Sequence, residues 1–286
     1  MSSTPRVTHA SAFAALHRPG HPFVLPNAWD VASALLLADA GFPAIGTTSL
    51  GVTAAAGLPD GAGAGAALTV DLAGHLTARL AVPLTVDIEG GYSDDPAAVA
   101  DLAARLADLG VAGVNLEDGR TDGRLRPIDQ HAAIVGAVRA AAPGLFVNAR
   151  TDTYWLQVGA AGDRLDETIR RLIAYRDAGA SGVFVPGLTD LAGIAALART
   201  VALPLNVLWH PDVDLAGLAA AGVARVSTGS ALYRHALAAA LAVAGAARDG
   251  QRPSHTPIEY AALQQRLRAD QPGTAEARRR GAGAAR

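Results

Sequence analysis

The chain has 286 residues, half of them apolar and 17% charged. That is ample material for one large core and too little charge for a disordered chain. A formal net charge of −2 offers no basic field for nucleic acid. With no cysteine, disulfides, thiolate metal sites and cysteine nucleophiles are excluded. All 24 basic residues are arginine, so Schiff-base chemistry and a P-loop lysine are excluded too.

In chain order, the opening MSSTPRVTHASAF lacks the apolar core of a signal peptide, and no later stretch is apolar enough to span a bilayer. A soluble cytoplasmic protein with no membrane partner is expected. HPFVLPNAWD supplies a first strand from near Phe23, and apolar residues at helical spacing follow over 30–40. Gly41 ends that helix, and a second strand starts near Ala44. The long stretch beyond contains Gly61-Ala62-Gly63-Ala64-Gly65. It lacks the spacing of a nucleotide-binding loop and reads as a flexible segment able to act as a lid. A third strand starts near Leu84, and Asp95 with Pro96 forms an N-cap and N1 pair for a helix over 97–109. Strands from near Gly113 and Leu145 flank a helix over 128–142. A helix over 166–178 precedes strands from near Gly182, Leu205 and Arg225. Helices follow over 230–247 and 257–269. From Gln271 onward, through Arg278-Arg279-Arg280, there is little to bury, and the stretch reads as a solvated tail.

ADAGFPAIGTTS, ADLGVAGVNLED, RDAGASGVFVPG and AAAGVARVSTGS repeat one pattern, in which a helix ends at Gly41, Gly110, Gly179 or Gly222 and a β-rich run follows. VPLTVDIEG, PGLFVNART and LPLNVLWHP are a second kind, opened by Pro or Gly. Continuous apolar strands alternating with helices mean a parallel sheet covered on both faces. Eight of them favour a closed (β/α)₈ TIM barrel over an open doubly wound sheet. The expected organisation is one barrel domain over 1–250, a helical extension over 251–270 and a disordered tail over 271–286.

In such barrels chemistry collects at the C-terminal ends of the strands. There the sequence places Thr47-Thr48-Ser49, then Asp87 and Glu89, then Glu117 and Asp118. Asn148, Arg150 and Asp152 follow, then Asn206 and His210, then Ser227 and Thr228. Asp87 and Glu89, two apart on one strand, can face the same way, and Glu117 ends the next strand. Such acids commonly cap helices or pair with arginines. Three converging on one barrel mouth repel one another unless a cation joins them, and an oxygen-only set suits Mg²⁺ or Mn²⁺ better than Zn²⁺. Arg150, after the apolar run LFVNA, fits a carboxylate or phosphonate in two-point geometry, or a salt bridge to Glu117 or Asp152. Asp60 in GLPDG is a turn residue first and a group near the metal second. His210 in WHPD reads as positioned by the turn at Pro211.

PNAWDVASALLLADAGFPAIGTTSLGVTAAAGLPDG, VDIEGGY, GVNLEDG and NARTD together resemble the isocitrate lyase/phosphoenolpyruvate mutase superfamily over roughly 25–235. The resemblance implies Mg²⁺ held, partly through water, around Asp87, Glu89 and Glu117, with Asp60 close by. It implies that Thr48, Ser49 and Leu50 bind the carboxylate or carbonyl oxygens of a 2-oxo acid. Arg150 would contact the other end and Asn206 line the pocket, with Arg150 and Asp60 the candidate catalytic residues. The implied chemistry is an enolate stabilised by a Lewis acid.

Two features depart from the pattern. Lyase members carry a Lys-Lys-Cys-Gly-His loop with a proton-donating cysteine, and mutase members an asparagine; DGRTDGRLRPID after Glu117 has neither. Glu89 stands where aspartate is usual, shifting a carboxylate by about 1.5 Å. The leading expectation is a Mg²⁺-dependent lyase cleaving a C–C bond of a small 2-oxo or 2-hydroxy acid, 2-methylisocitrate lyase-like or oxaloacetate decarboxylase-like. Phosphoenolpyruvate phosphonomutase or phosphonopyruvate hydrolase chemistry is the alternative, and a non-catalytic oxo-acid sensor the third. A homo-oligomer, dimer or tetramer, is expected from the resemblance, with the helix over 230–247 crossing to a neighbour.

Overall fold

A computed structural model describes residues 8–61 and 63–269; Ala62 of the glycine-rich segment and the expected tail over 271–286 lie outside them. Nine strands, all parallel, run in the order β1-β9-β8-β7-β6-β5-β4-β3-β2. They are β1 (Phe23–Leu25), β2 (Asn27–Ala28), β3 (Ile45–Thr47), β4 (Leu84–Asp87), β5 (Gly113–Glu117), β6 (Phe146–Arg150), β7 (Gly182–Val185), β8 (Leu205–Leu208) and β9 (Arg225–Ser227). β1 and β2 are two halves of one barrel strand, interrupted at Pro26, which has no N–H to give a ladder. The first half pairs with β9 and the second with β3, so the sheet closes on itself as an eightfold TIM barrel. The eight expected starts agree within one residue.

The helices are α1 (His9–Leu16), α2 (Val31–Asp39), α3 (Ser49–Ala55), α4 (Ala66–Thr77), α5 (Pro96–Asp108), α6 (Ile128–Ala141), α7 (Arg164–Asp177), α8 (Leu191–Val201), α9 (Leu215–Ala220), α10 (Ala231–Arg248) and α11 (Tyr260–Ala269). Asp95 accepts from the Ala97 N–H at 3.0 Å with Pro96 next in line, the expected start of α5. Gly41, Gly110, Gly179 and Gly222 all take positive φ, 88°, 89°, 106° and 87°, as helix-ending residues do. Contrary to the single long loop expected after the second strand, α3 and α4 occupy most of that stretch and leave only 56–65 between them.

The core wraps the strands: Val86, Val114, Val147, Val183, Val207 and Val226 are buried completely or nearly so. At the N-terminal end of the barrel α1 acts as a plug. Its Phe13 meets Phe23 and Phe146 edge-on, and His17 stacks on Phe146 with ring centroids 4.0 Å apart. Above the plug lies Arg225, fully buried, bonded to Ser227 at 3.0 Å and Asn115 at 2.9 Å.

Candidate active site

The C-terminal ends of the strands surround a cavity of about 630 Å³. Thr48, Ser49, Leu50, Asp60, Asp87, Glu89, Glu117 and Arg150 all line it. Asn206 does not. It is buried below the cavity, where its side-chain oxygen accepts from Ser227, a residue that does reach the wall. Asn206 therefore supports the floor instead of touching the cavity. His210 also stays outside, about half exposed beside Asp212.

The acidic wall is built by neighbouring strands. Asp87 ends β4, and its N–H donates to the Thr47 hydroxyl at 3.0 Å. Its carboxylate faces the start of α3, where the Ser49 N–H approaches at 3.5 Å. Glu89 turns inward on a left-handed backbone, φ 50°, which orients it off the strand. Its Oε1 is buried without a hydrogen-bond partner. Glu117 and Arg150 are register partners on β5 and β6 and form an ion pair at 2.6 Å. Arg150 also grips Asp152 with two bonds, 2.6 and 3.0 Å. Asp152 is fixed in turn by Asp118, which is fully buried and accepts from the Asp152 N–H, Thr151, Arg171 and Tyr175.

Burial and crowding shift these groups together. Glu89 is pushed up to about 7, by burial first and then by Asp87 and Asp60. Burial also raises Asp87, with Arg150 opposing and Asp60 adding. Glu117 is raised well above the usual carboxylate range, again by burial first. Burial works against the charge on Arg150, but Asp152, Glu117 and Asp87 outweigh it and hold the proton. Asp87, Glu89, Glu117 and Asp152 thus crowd one part of the wall, where Arg150 is bonded to only two of them and Asp60 adds to the charge from the exposed edge, a surplus of negative charge in a mostly buried cluster.

That surplus, its all-oxygen donors and the unpartnered Glu89 Oε1 fit a hard divalent cation. Among the described residues, however, no three His, Asp or Glu groups already surround one point closely enough to hold an ion. Charge and geometry are reconciled if part of the coordination runs through water, as Mg²⁺ commonly requires.

Several lining residues escape a reading of strand ends. Arg120 and Arg126, from the segment after β5, both bind Asp94 from the segment after β4. Tyr92 and Trp155 also line the cavity. The arginines were visible in DGRTDGRLR, but nothing local in sequence announces their meeting with Asp94.

Residues 13–248 match the family described as phosphoenolpyruvate phosphomutase. An uncharacterized protein of Mycobacterium tuberculosis is 47% identical over 256 residues, covering 90% of this chain and 96% of that one. The 2-methylisocitrate lyase of Bacillus subtilis is 34% identical over 189 residues, 63% of this chain and 60% of its own. The oxaloacetate decarboxylase of Pseudomonas aeruginosa is 30% identical over 232 residues, 74% of this chain and 76% of its own. A crystal structure from Burkholderia cenocepacia J2315, described as a lyase/mutase, superposes with a TM-score of 0.82 at 38% identity, covering 91% of this chain and 96% of that one.

Proposed function

The chain belongs to the phosphoenolpyruvate phosphomutase family, whose superfamily comprises C–C lyases and mutases, and from that premise we propose that it is a Mg²⁺-dependent lyase cleaving a C–C bond of a small 2-oxo or 2-hydroxy acid through an enolate. One observation carries the reading: Asp60, Asp87, Glu89 and Glu117 line a single cavity together with Arg150 and the Thr48-Ser49 start of α3. Asp87, Glu89 and Glu117 would hold the ion, with Asp60 beside them. Bound there, Mg²⁺ supplies Lewis-acid stabilisation of the negative charge that develops on the 2-oxo oxygen.

The chain's own residues do the rest. The Thr48 and Ser49 hydroxyls, with the backbone at Leu50, orient the acid's carboxylate and carbonyl oxygens. Arg150 is held in one orientation by Asp152 and Glu117 and so meets the substrate without searching rotamers. The segment 119–126 that covers one side carries arginines and aspartate but no cysteine, lysine or histidine. With no such acid in that segment, the closing proton is assigned to water or to a residue elsewhere, such as His210, which suits decarboxylation or retro-aldol cleavage better than a reaction that needs a dedicated acid in that segment.

The test is turnover of oxaloacetate, 2-methylisocitrate and phosphonopyruvate with Mg²⁺ and with EDTA, run in D₂O and followed by NMR. Deuterium in the methyl group of pyruvate formed from oxaloacetate, or in the succinate formed from 2-methylisocitrate, lost with EDTA, is the expected result. Mg²⁺ should also raise the melting temperature, and Asp87→Ala should abolish that rise. Metal-independent turnover overturns the reading. Phosphonopyruvate as the sole accepted substrate assigns the chain to P–C bond chemistry, and binding without turnover of any of them assigns it to a sensor.

A further inference from the structure

We propose that Arg120 is a specificity-determining residue that binds the second carboxylate of a dicarboxylic 2-oxo acid. The inference rests on the oxo-acid reading of the site and adds which acids it selects. Its ground is the distribution of positive charge around the cavity. Arg150 is already committed to two carboxylates, Asp152 through two bonds and Glu117 through a third. On the part of the wall built by the segments after β4 and β5 the ratio reverses, because Arg120 and Arg126 share the single carboxylate of Asp94.

The two arginines are not equivalent. Arg126 is buried and bonded to Asp94, the Gly90 and Ser93 carbonyls and His131. It is fixed in the wall. Among the described residues the Arg120 side chain has one partner, Asp94, reached at 3.2 and 3.0 Å by a side chain 36% exposed, against 58% for Asp94. An exposed pair of this kind is easily exchanged. If Arg120 turns to a ligand, Asp94 keeps Arg126 and no carboxylate is left unpaired. Arg120 also sits on a tight hairpin, where its N–H donates to the Arg124 carbonyl and Gly119 bridges Leu125, so its backbone stays at the cavity edge while the side chain swings. A monocarboxylic acid gives this guanidinium nothing to bind. A diacid offers the two-point partner that arginine prefers.

The experiment compares wild type with Arg120→Gln and Arg120→Lys by calorimetry, with Mg²⁺ present. The ligands are pyruvate and 2-oxobutyrate, which have one carboxylate, and oxaloacetate and 2-oxoglutarate, which have two. Arg120→Gln should weaken the diacids roughly tenfold and leave the monoacids within about twofold, with Arg120→Lys between. In turnover of a diacid, KM should rise while kcat holds, since the residue binds and does not react. Equal weakening of both classes, or none, overturns the proposal while leaving the oxo-acid reading intact. Failure of the wild type to bind any of the four overturns that reading and this inference with it.

Discussion

At the scale of single residues, the orientation of Arg150 depends on a group that never reaches the cavity. Asp118 fixes the Asp152 backbone, Asp152 fixes the guanidinium, and the chain between them must pass very close. A Cβ on Gly119 would strike the Asp152 carboxylate well inside contact distance. Gly119→Ala should therefore displace Asp152, and Arg150 with it, without opening the core. We expect kcat/KM to fall about 100-fold, the scale of an ångström of misplacement, comparable with Arg150→Lys, while the melting temperature moves little. Assay and thermal melt on one preparation check this; unchanged kcat/KM would show that the Arg150–Asp152 grip is dispensable.

At the scale of elements, α1 couples barrel stability to pH through His17. Burial and the nearby Arg225 cation hold its pKa down to about 3 from 6.5. Between those values the unfolded chain takes up a proton that the folded chain refuses, so stability is lost as pH falls below about 6.5. The slope is about 1.4 kcal/mol per pH unit for one such group. His131, also near 3 through burial and Arg126, adds in the same direction. His17→Phe keeps an aromatic ring against Phe146 and should flatten the decline in melting temperature between about pH 6 and about pH 4. Parallel curves for the two proteins would discount His17.

The elements also divide by how well they read from sequence. β4 through β9 are buried along most of their length and each follows a Gly or Pro that separates it from the preceding helix, so their starts were legible to within a residue even though Thr85, Asn115, Asn148, Asn206 and Arg225 put buried polar side chains among the apolar ones. α3 and α4 were not, because GVTAAAGLPDGAGAGAALTVDL is dominated by small residues with no strong helical face, and tertiary packing decides. The acids of the cavity were legible because a barrel sends strand ends to one mouth. The Asp118–Tyr175 bond spans 57 residues and the Arg120–Asp94 pair 26, approaches that no local pattern records. Asn206 marks the limit of the strand-end rule, since its side chain stops one layer short.

At the scale of the whole molecule, none of the described helices is long and apolar enough to cross a membrane. α11 returns to the barrel through Arg266–Asp39 on α2, an Arg79 bond to the Leu267 carbonyl and the partly buried Leu267 side chain packed against the core. The two polar ties are partly exposed, and such pairs contribute about 0–1 kcal/mol each. Truncation after Gly250 should therefore lower the melting temperature by only a few degrees, roughly 2–4 °C per kcal/mol at this chain length. Loss of cooperative unfolding on truncation would show instead that α11 is integral to the barrel.

The break at Pro26 carries a consequence for the timing of folding. Asn27 finds Thr47 across 20 residues, but its N–H finds Thr228 across 201. Loop-closure entropy costs on the order of 3 kcal/mol for the first and 5 kcal/mol for the second, before the constant common to both. The two halves of one strand are therefore zipped at different times: β2 as soon as β3 exists, β1 only when β9 has left the ribosome. At the usual pace of synthesis that interval is on the order of 10–40 s. Throughout it the Phe-Val-Leu edge has no partner within its own chain, and an unpaired apolar edge is a template for another chain. Each nascent molecule must keep that edge sheltered until its last strand arrives.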